Sequence, residues 1–384
     1  MIGVIADDLT GAAEIGAVGL RHGLRAEIVR TGRPSGRADV VCMDTDSRSC
    51  PAEEAGKRAA TAARELRAAG AQWIYKKVDS VLRGQVTAEM EAVMRELKLP
   101  RALLLPANPS LGRTIRNGQY FVHGKLIHKT EFARDPEYPR RSSQVLHLLK
   151  VPEEYPLRLV QDERLLFDRS IVIGEAALSA DVREWASIFE REGTLAAGGA
   201  EFFNALLDRE KPVNGNAVKN PPSPPPGREL FVCGVSTVSC RKFVSAARRN
   251  KQPVFTLPVE LVWGAEFTPA TVAAVTRRVV AAFESHSRVI LAVGLPNVRH
   301  VEVAKRLSQN VVDLAERVIK SVPVARVFAE GGATAAELVR RMGWSRLTVE
   351  REVAPGVATL TVEHDQPLLL TIKPGTYTWP AQWT

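Results

Sequence analysis

The chain has 384 residues, 45% of them hydrophobic and 25% charged, a balance that supplies core enough for two domains and excludes disorder as the default state. Its formal net charge of +9 favours anionic partners such as nucleotides, sugar acids or nucleic acid, although charge speaks to steering rather than to activity. The cysteines Cys42, Cys50, Cys233 and Cys240 contain no C-x-x-C pair of the kind a structural zinc site uses, and no run approaches the roughly 18 apolar residues of a membrane span. With no signal-peptide pattern at the N-terminus, a cytoplasmic protein without a membrane partner is expected.

In chain order, "IGVIA" predicts a strand and "TGAAEIGAVGLRHG" a small-residue helix ending near Gly23. "AEIVR" and "DVVCMD" read as strands, "PAEEAGKRAATAARELRAAG" as a helix with Pro near its start and Gly at its end. "WIYKKVD" then reads as a strand, "TAEMEAVMRELK" as a helix and "RALLLPAN" as a strand. Such alternation predicts βαβ units and a parallel sheet covered on both faces. In sheets of this kind ligands bind beyond the carboxyl ends of the strands. There the sequence places Asp7, Asp8, Asp44, Asp46, Asp79 and Asn108. One Asp in such a place is ordinarily a helix N-cap or a solvated carboxylate; several on one edge mark a site.

Prolines cluster in "KNPPSPPPGRE", residues 219–229, a stretch that can join neither a helix nor a central strand. The expected division is a first domain over residues 1–218, a linker over 219–229 and a second domain over 230–384. After the linker "ELFVCG", "PVFTLP", "RVILAVG" and "RVFAEGG" read as strands, separated by helices such as "PATVAAVTRRVVAAFE" and "VEVAKRLSQNVVDLAERVIKSV". "RVFAEGG" is the last strand expected. It runs into "EGGATAAELVRRMGW", where Gly331 and Gly332 before a helix suit a phosphate cradle. "TAAE" suits a capping box equally well, with Thr334 as N-cap and Glu337 as its partner. Neither the G-x-x-x-x-G-K-[ST] nor the G-x-G-x-x-G signature occurs, so a nucleotide is held in another way. No metal-ligand spacing appears, and His123 and His128 read as surface or loop residues.

Three stretches, "IADDLTGA", "KKVDSVLRG" and "PANPSLGRTIRNGQYFVHG", together resemble the four-carbon acid sugar kinase family. Its pattern runs approximately ADDLTGA, K-x-D-S-T-L-R-G and P-A-x-P-x-x-G-R-x-x-x-x-G. Val81 stands here where Thr is usual, Asn108 where an aromatic is common, and "EFARDPEYP" is similar to the family's D-P-x-x-P segment. In the second half "CGVSTVSCRK", "EGGATA" and "IKPGTYT" are similar to G-S-x-S-x-x-T, G-G-E-T and K-S-G-N-F-G. There Val235 replaces a hydroxyl residue, Ala333 a glutamate, and Pro374 to Tyr377 a Ser-Gly-Asn-Phe sequence.

The resemblance implies an ATP-dependent, Mg²⁺-assisted kinase that phosphorylates the terminal hydroxyl of threonate, erythronate or 3-oxo-tetronate. The N-terminal domain would bind the acid and the C-terminal domain the nucleotide. The fold class expected is thus α/β with two domains, each a mainly parallel sheet flanked by helices, and the active site in the interdomain cleft. Asp8 and Asp79 are the candidates for base and hydroxyl-orienting group, with Arg83 as the catalytic cation. Arg83 and Arg113 are preferred among the cations because each sits beside a motif glycine. By resemblance Asp7, Thr10, Lys76, Lys77, Ser80, Asn108, Arg113, Arg116 and Gly118 would surround the acid. On the nucleotide side stand Ser236, Thr237, Gly294, Gly331, Gly332, Ala333, Thr334 and Gly375. The rival expectation is a sugar-acid sensor with a degenerate nucleotide site. Nucleic-acid binding ranks low, because the basic residues are dispersed and no recognised module accompanies them. A homodimer is compatible with the sequence, which does not specify the oligomeric state.

Overall fold

The alternating apolar and amphipathic segments fold as βαβ units in a computed structural model that describes residues 1–135, 137–160, 169–210, 227–294, 301–363, 368–375, 377–380 and 383. Pro136 of "DPEYP", residues 219–226 of the proline-rich stretch, residues 295–297 of "AVGLPN" and Thr376 of "IKPGTYT" lie outside the described residues. Contacts divide the chain into two compact units, Met1–Lys219 and Asn220–Thr384.

The first unit runs β1 (Ile2–Ala6), α1 (Leu9–Arg21), β2 (Ala26–Val29), β3 (Val40–Asp44), α2 (Ala52–Ala68), β4 (Trp73–Lys77), α3 (Val86–Leu97) and β5 (Arg101–Leu105). It continues through β6 (Arg113–Arg116), β7 (Gln119–Val122), β8 (Lys125–Leu126), α4 (Val145–Leu148), β9 (Leu157–Val160), β10 (Ile171–Gly174), α5 (Ser179–Ile188), β11 (Thr194–Gly198) and α6 (Ala200–Glu210). The main sheet has the order β2-β3-β1-β4-β11-β5-β10-β9, and every pairing in it is parallel. Its strands are apolar nearly throughout, as a sheet buried on both faces requires. Ala6 lies opposite Asp44 and Lys77, Lys77 opposite Gly198, and Gly198 opposite Leu105. The central strands therefore end level, at one rim. From β1 the chain turns toward β2 and from β4 toward β5, on opposite sides, so the β1/β4 rim is the switch point where such sheets bind ligands.

An antiparallel sheet, β6-β7-β8, was not expected. Its first turn is made by Asn117 and Gly118, with φ of 48° and 73°. That is the two-residue turn whose positive φ values match strand twist.

The second unit runs β12 (Glu229–Cys233), α7 (Val238–Arg249), β13 (Val254–Thr256), α8 (Pro269–Ala282), β14 (Arg288–Ala292), α9 (Val301–Ser321), β15 (Arg326–Glu330), α10 (Gly332–Arg341), β16 (Arg346–Ala354), β17 (Val357–Val362) and β18 (Leu368–Lys373). Its strand order is β13-β14-β12-β15-β18-β17-β16. The first five strands are parallel, and β17 and β16 close the edge antiparallel. Three strands thus follow "RVFAEGG", which is not the last. In β16, buried Leu347 and Val349 flank an exposed Thr348, the period of a half-buried strand. Pro355 and Gly356, the latter at φ 74°, turn the chain into β17. The core is aromatic: Phe231 stacks on Phe328 at 4.2 Å, with Trp379 edge-on to both rings and Trp383 edge-on to Phe328. Among the described residues no helix is long and apolar enough to cross a membrane.

Candidate active site

At the switch point of the first unit, the loops after β1 and β4 deliver carboxylates to a single guanidinium, which the loop after β3 supplies. Asp8 is the N-cap of α1 and accepts the Gly11 N–H at 2.8 Å. Its other oxygen meets Arg48 Nη1 at 2.7 Å. Both oxygens of Asp7 face the same arginine, at 2.8 Å from Nε and 2.9 Å from Nη2. Asp79 Oδ2 lies 3.7 Å from Arg48 Nη2. Arg48 is placed by the turn after β3, where the N–H groups of Ser47 and Arg48 bond to the Asp7 carbonyl. The Tyr138 hydroxyl donates to the Arg48 carbonyl.

Asp79 is the most heavily bonded of the three. It accepts the backbone N–H groups of Val81 and Arg83 at 3.1 Å each, and the Arg83 side chain at 3.0 and 2.8 Å. Leu82 at φ 63° and Gly84 at φ 85° wind this loop tightly enough for those bonds to form. Arg83 also reaches Asp135 at 3.3 Å, and Arg140 donates to the Leu82 carbonyl at 3.1 Å.

These environments separate the three carboxyls. Burial alone would raise all of them. At Asp79 the charges of Arg83 and Arg48 override burial and hold the carboxyl well below its ordinary value. At Asp7 Arg48, helped by Lys76, also prevails and lowers it. At Asp8 burial, backed by the negative charge of Asp7, outweighs Arg48 and Lys77, and the carboxyl is raised. Asp8 is also the most open, its side chain 19% exposed against 4% for Asp7 and 7% for Asp79. Of the two base candidates, Asp8 has the basicity and the access.

The other predicted residues fall into groups. Lys76 lies beneath the rim, buried against Glu89 at 2.7 Å and the Lys77 carbonyl at 2.7 Å. Lys77 pairs with Glu14 at 3.0 Å. Thr10 Oγ1 is buried without a hydrogen-bond partner. Asn108 and Arg113 pair through their backbones, and among the described residues the Arg113 side chain bonds only to the Leu111 carbonyl, at 3.2 Å, leaving its buried Nε unpartnered. Tyr120 joins this group to the rim. Its hydroxyl donates to the Ser80 carbonyl, and both Arg113 and Asp79 act on its buried phenol. Arg116 and Gly118 do not meet the others: Arg116 is exposed over the Phe121 ring at 5.2 Å, and Gly118 donates to Glu175 at 2.6 Å in the hairpin turn. Arg48, Asp135, Tyr138 and Arg140 were not anticipated as members. Arg48 had a signal, as the one arginine of "DTDSRS", directly beyond a strand whose other polar neighbours were carboxylates.

In the second unit the corresponding rim is built from backbone. A Cβ on Gly234 would clash with Thr334 and Ser308, one on Gly331 (φ 103°) would meet Val235 Cγ1 at 2.8 Å, and one on Gly375 would meet the same carbon at 3.3 Å. The ends of β12, β15 and β18 thus approach one another closer than side chains permit. Helix α10 begins at Gly332 with Gly331 as its N-cap and no side-chain cap. The capping-box alternative is thereby overturned. Thr334 lies in the first turn, buried, with Oγ1 3.1 Å from Ser308 Oγ, and Glu337 pairs with Arg340 and Arg341. Ala333 is exposed at the helix start. Thr237 caps α7 and donates to the Gly375 carbonyl at 2.8 Å, while the Ser236 carbonyl receives Arg241. Gly294, at φ 68°, ends β14 against Thr256. Uncapped N–H groups, a helix dipole and three close backbones fit the phosphates of a nucleotide.

Beneath this rim Cys233, Cys240 and Glu330 gather within 4.8 Å. They do not fit a metal ion. Lys373 Nζ already neutralises Glu330 at 2.9 Å, and Trp379 Nε1 donates to its other oxygen at 3.1 Å. The hydrogen bond with Cys240, burial and the charge of Glu330 push the Cys233 thiol well above its ordinary value, so the thiolate a metal needs is disfavoured.

Comparison with known proteins agrees with this division. Residues 2–199 match the family model described as a sugar-binding N-terminal domain, and residues 230–377 the one described as a nucleotide-binding C-terminal domain. A D-threonate kinase of Salmonella typhimurium is 27% identical over 92% of this chain and 89% of its own length. A 3-oxo-tetronate kinase of Methylobacterium radiotolerans is 25% identical over 98% and 96%. A crystal structure from Salmonella typhimurium LT2 shares the fold at a TM-score of 0.82, with 20% identity over 100% of this chain and 97% of that one. The model that matches residues 2–199 covers more than half of the chain, and the chain belongs to the two-domain four-carbon sugar-acid kinase family.

Proposed function

We propose that the protein is an ATP-dependent kinase of a four-carbon sugar acid of the threonate, erythronate or 3-oxo-tetronate type. The first domain, up to residue 218, holds the acid; the second, from residue 230, holds the nucleotide. What carries this proposal is the allocation of charge at the β1/β4 rim. Arg48 and Arg83 are committed to aspartates, whereas Arg113 has, among the described residues, no carboxylate partner and an unpartnered buried Nε. A buried donor without an acceptor costs about 1–3 kcal/mol. A bound carboxylate removes that cost with charge-assisted bonds. The Thr10 hydroxyl, buried and also unpartnered, supplies a second contact for the acid.

The acceptor hydroxyl then falls to Asp8. A general base works best when its basicity approaches the operating pH, and Asp8 is the carboxyl of this rim that its surroundings raise. Asp79 instead shapes the loop that carries Arg83. On the nucleotide side the N–H groups of Gly332 and Ala333 and the close backbones of Gly331 and Gly375 hold phosphate oxygens. Because they act through backbone, the replacements at Ala333 and Pro374 leave them in place. ATP supplies the transferred phosphoryl group, and Mg²⁺ accompanies it on phosphate oxygens, as magnesium commonly does. Glu330, buried against Lys373, takes no part.

The test is incubation of the protein with ATP·Mg and a panel of four-carbon aldonates, with phosphorylated product read by mass spectrometry. Product from at least one acid is expected. Calorimetric binding of an acid without binding of ATP·Mg would instead identify a sensor and overturn the proposal.

A further inference from the structure

Arg48 stands in the loop after β3 and reaches the aspartates of the loops after β1 and β4, and the kinase assignment leaves it without a role. Three of its five N–H donors are already engaged, on Nε and Nη2 by Asp7 and on Nη1 by Asp8, so its charge is shared between two aspartates before any acid binds. Its own backbone is held by the Asp7 carbonyl from below and by the Tyr138 hydroxyl from the 135–140 segment. Arg83 duplicates part of its charge but none of its geometry, since Arg83 bonds to Asp79 and Asp135 and to neither Asp7 nor Asp8.

Resting on the kinase assignment above, we propose that Arg48 is a positioning residue of the phosphoryl transfer: bonded to Asp7 and Asp8 together and 3.7 Å from Asp79, it fixes the Asp8 carboxylate toward the acceptor hydroxyl. Two features of the rim require such a residue. Adjacent carboxylates repel, and without a shared cation Asp8 would rotate away from Asp7 or share a proton with it. A planar fork with fixed donor directions can hold two carboxylates in one geometry, whereas an ammonium acts as a point charge. Near-attack geometry is sensitive to this, as a displacement of about 1 Å costs on the order of 100-fold in rate.

Charged groups face the cluster from every side. From β4 and its loop come Lys77, Asp79 and Arg83; from α1, Glu14 paired with Lys77; from α3, Glu89 paired with Lys76. Asp44 ends β3, Asp46 follows it and Arg30 follows β2, and the 135–140 segment brings Asp135, Tyr138 and Arg140. Among the described residues none of these groups bonds to both Asp7 and Asp8 as Arg48 does, so its loss is not made good by a neighbour.

The experiment compares the wild type with Arg48→Gln and Arg48→Lys, each checked for folding by circular dichroism. Turnover is followed against pH, and the aspartate carboxyl carbons are titrated by NMR without substrate. Arg48→Gln should lower kcat about 100-fold and move its acid limb up by about one pH unit or more, because a neighbouring Arg depresses a carboxyl by roughly that much. The KM values should change less. Arg48→Lys keeps the charge, so the acid limb should stay in place while kcat remains about tenfold low for want of the fork. Should Arg48→Gln prove unstable, the lysine variant decides alone. Wild-type kcat in Arg48→Lys would overturn the proposal, as would an unmoved acid limb in Arg48→Gln. A rise in acid KM with kcat unchanged would make Arg48 a substrate ligand and overturn it too. The carboxyl titration needs no turnover: if the wild type phosphorylates no acid, the kinase assignment fails, whereas an unaltered titration in Arg48→Gln refutes the clamp itself.

Discussion

Substituting Asp8 and Asp79 separately by Asn distinguishes chemistry from scaffolding at the β1/β4 rim. Asp79 accepts four hydrogen bonds, two of them from the Arg83 side chain, and its own side chain is 7% exposed. Asn keeps one acceptor oxygen and loses the charge. Removing one partner of a buried pair costs about 3–5 kcal/mol; with Arg83 partly exposed and retaining Asp135, about 3 kcal/mol is expected. For a domain of about 200 residues that lowers the melting temperature by roughly 6–12 °C. Asp8→Asn keeps the helix cap, since Asn caps about as well as Asp, so its stability should change by no more than about 1 kcal/mol. Its turnover should fall between about 100- and 10,000-fold, the contribution of a general base. Calorimetry and a coupled ADP-release assay measure both quantities on the same samples. Near wild-type turnover in Asp8→Asn would refute the assignment, as would an Asp79→Asn protein that is inactive yet fully stable. Acid unfolding gives a second check. A carboxyl lowered in the folded state stabilises at pH values above its unfolded value near 3.9, and that stabilisation is lost as pH falls through the folded value. Wild type should therefore lose stability on acidification that Asp79→Asn has already forfeited.

Arg113→Met should raise the KM for the sugar acid about 10- to 100-fold, the worth of one charge-assisted bond, with the melting temperature little changed, because in the protein this side chain bonds only to the Leu111 carbonyl; an unchanged KM removes it from the carboxylate site. Gly331→Ala, at φ 103° with its Cβ 2.8 Å from Val235 Cγ1, should raise the KM for ATP at least about tenfold and leave that for the acid alone, and equal rises in both would point to unfolding. Burial outweighs Arg30 at Asp44 and pushes its carboxyl up to about 7. A raised carboxyl contributes stability that is full below about 3.9 and lost as pH rises through the folded value, so Asp44→Asn should flatten the decline between about pH 4 and pH 7 in urea midpoints, and an unaltered decline would show that Asp44 is not its source.

The parallel core of each unit could be read from the chain because the signals were local and redundant. "IGVIA" and the "VVCM" within "DVVCMD" are apolar throughout, as doubly covered strands must be, and the helix between "IGVIA" and the next strand carries its own Asp8 cap. Strands β16 to β18 were missed for the opposite reason: they follow a glycine-rich turn and a helix that already completes a βαβ unit, and threonines interrupt the apolar runs of "VATLTV" and "LLLTIK" although both strands are buried nearly throughout. At the site, Asp7, Asp8 and Asp79 were legible because each directly follows a strand. Arg48 also follows a strand, but its pairing with Asp7 and Asp8 comes from the register that sets Ala6 opposite Asp44 and Lys77, and register between distant segments leaves no trace in composition. Lys76 shows the converse. Its motif position suggested a ligand, yet alternation along β4 turns it inward to Glu89, and its neighbour Lys77 the other way to Glu14.

Both units wire their first four strands identically. β2-β3-β1-β4 in the first corresponds to β13-β14-β12-β15 in the second, each with its switch point between the first and fourth strand. Such wiring delivers two loops and a helix N-terminus to one rim, and residue type then decides what the rim accepts. In the first unit the loop after β1 carries Asp7 and Asp8, so α1 is capped from within by Asp8, and the rim is left with carboxylates and cations suited to a hydroxylated acid. In the second the loops carry Gly234, Gly331 and Gly332, and α10 starts with no side-chain cap, which leaves its N–H groups for phosphate oxygens. An Asp capping α10 would fill that role with a competing anion. It follows that Gly331→Asp should abolish nucleotide binding through charge as well as shape, whereas Gly331→Asn, of similar size and equally strained at φ 103° and ψ 130° but uncharged, should weaken it less. Calorimetric titration of ATP·Mg into both variants separates the two effects, and equal losses would mean that shape alone governs the cradle.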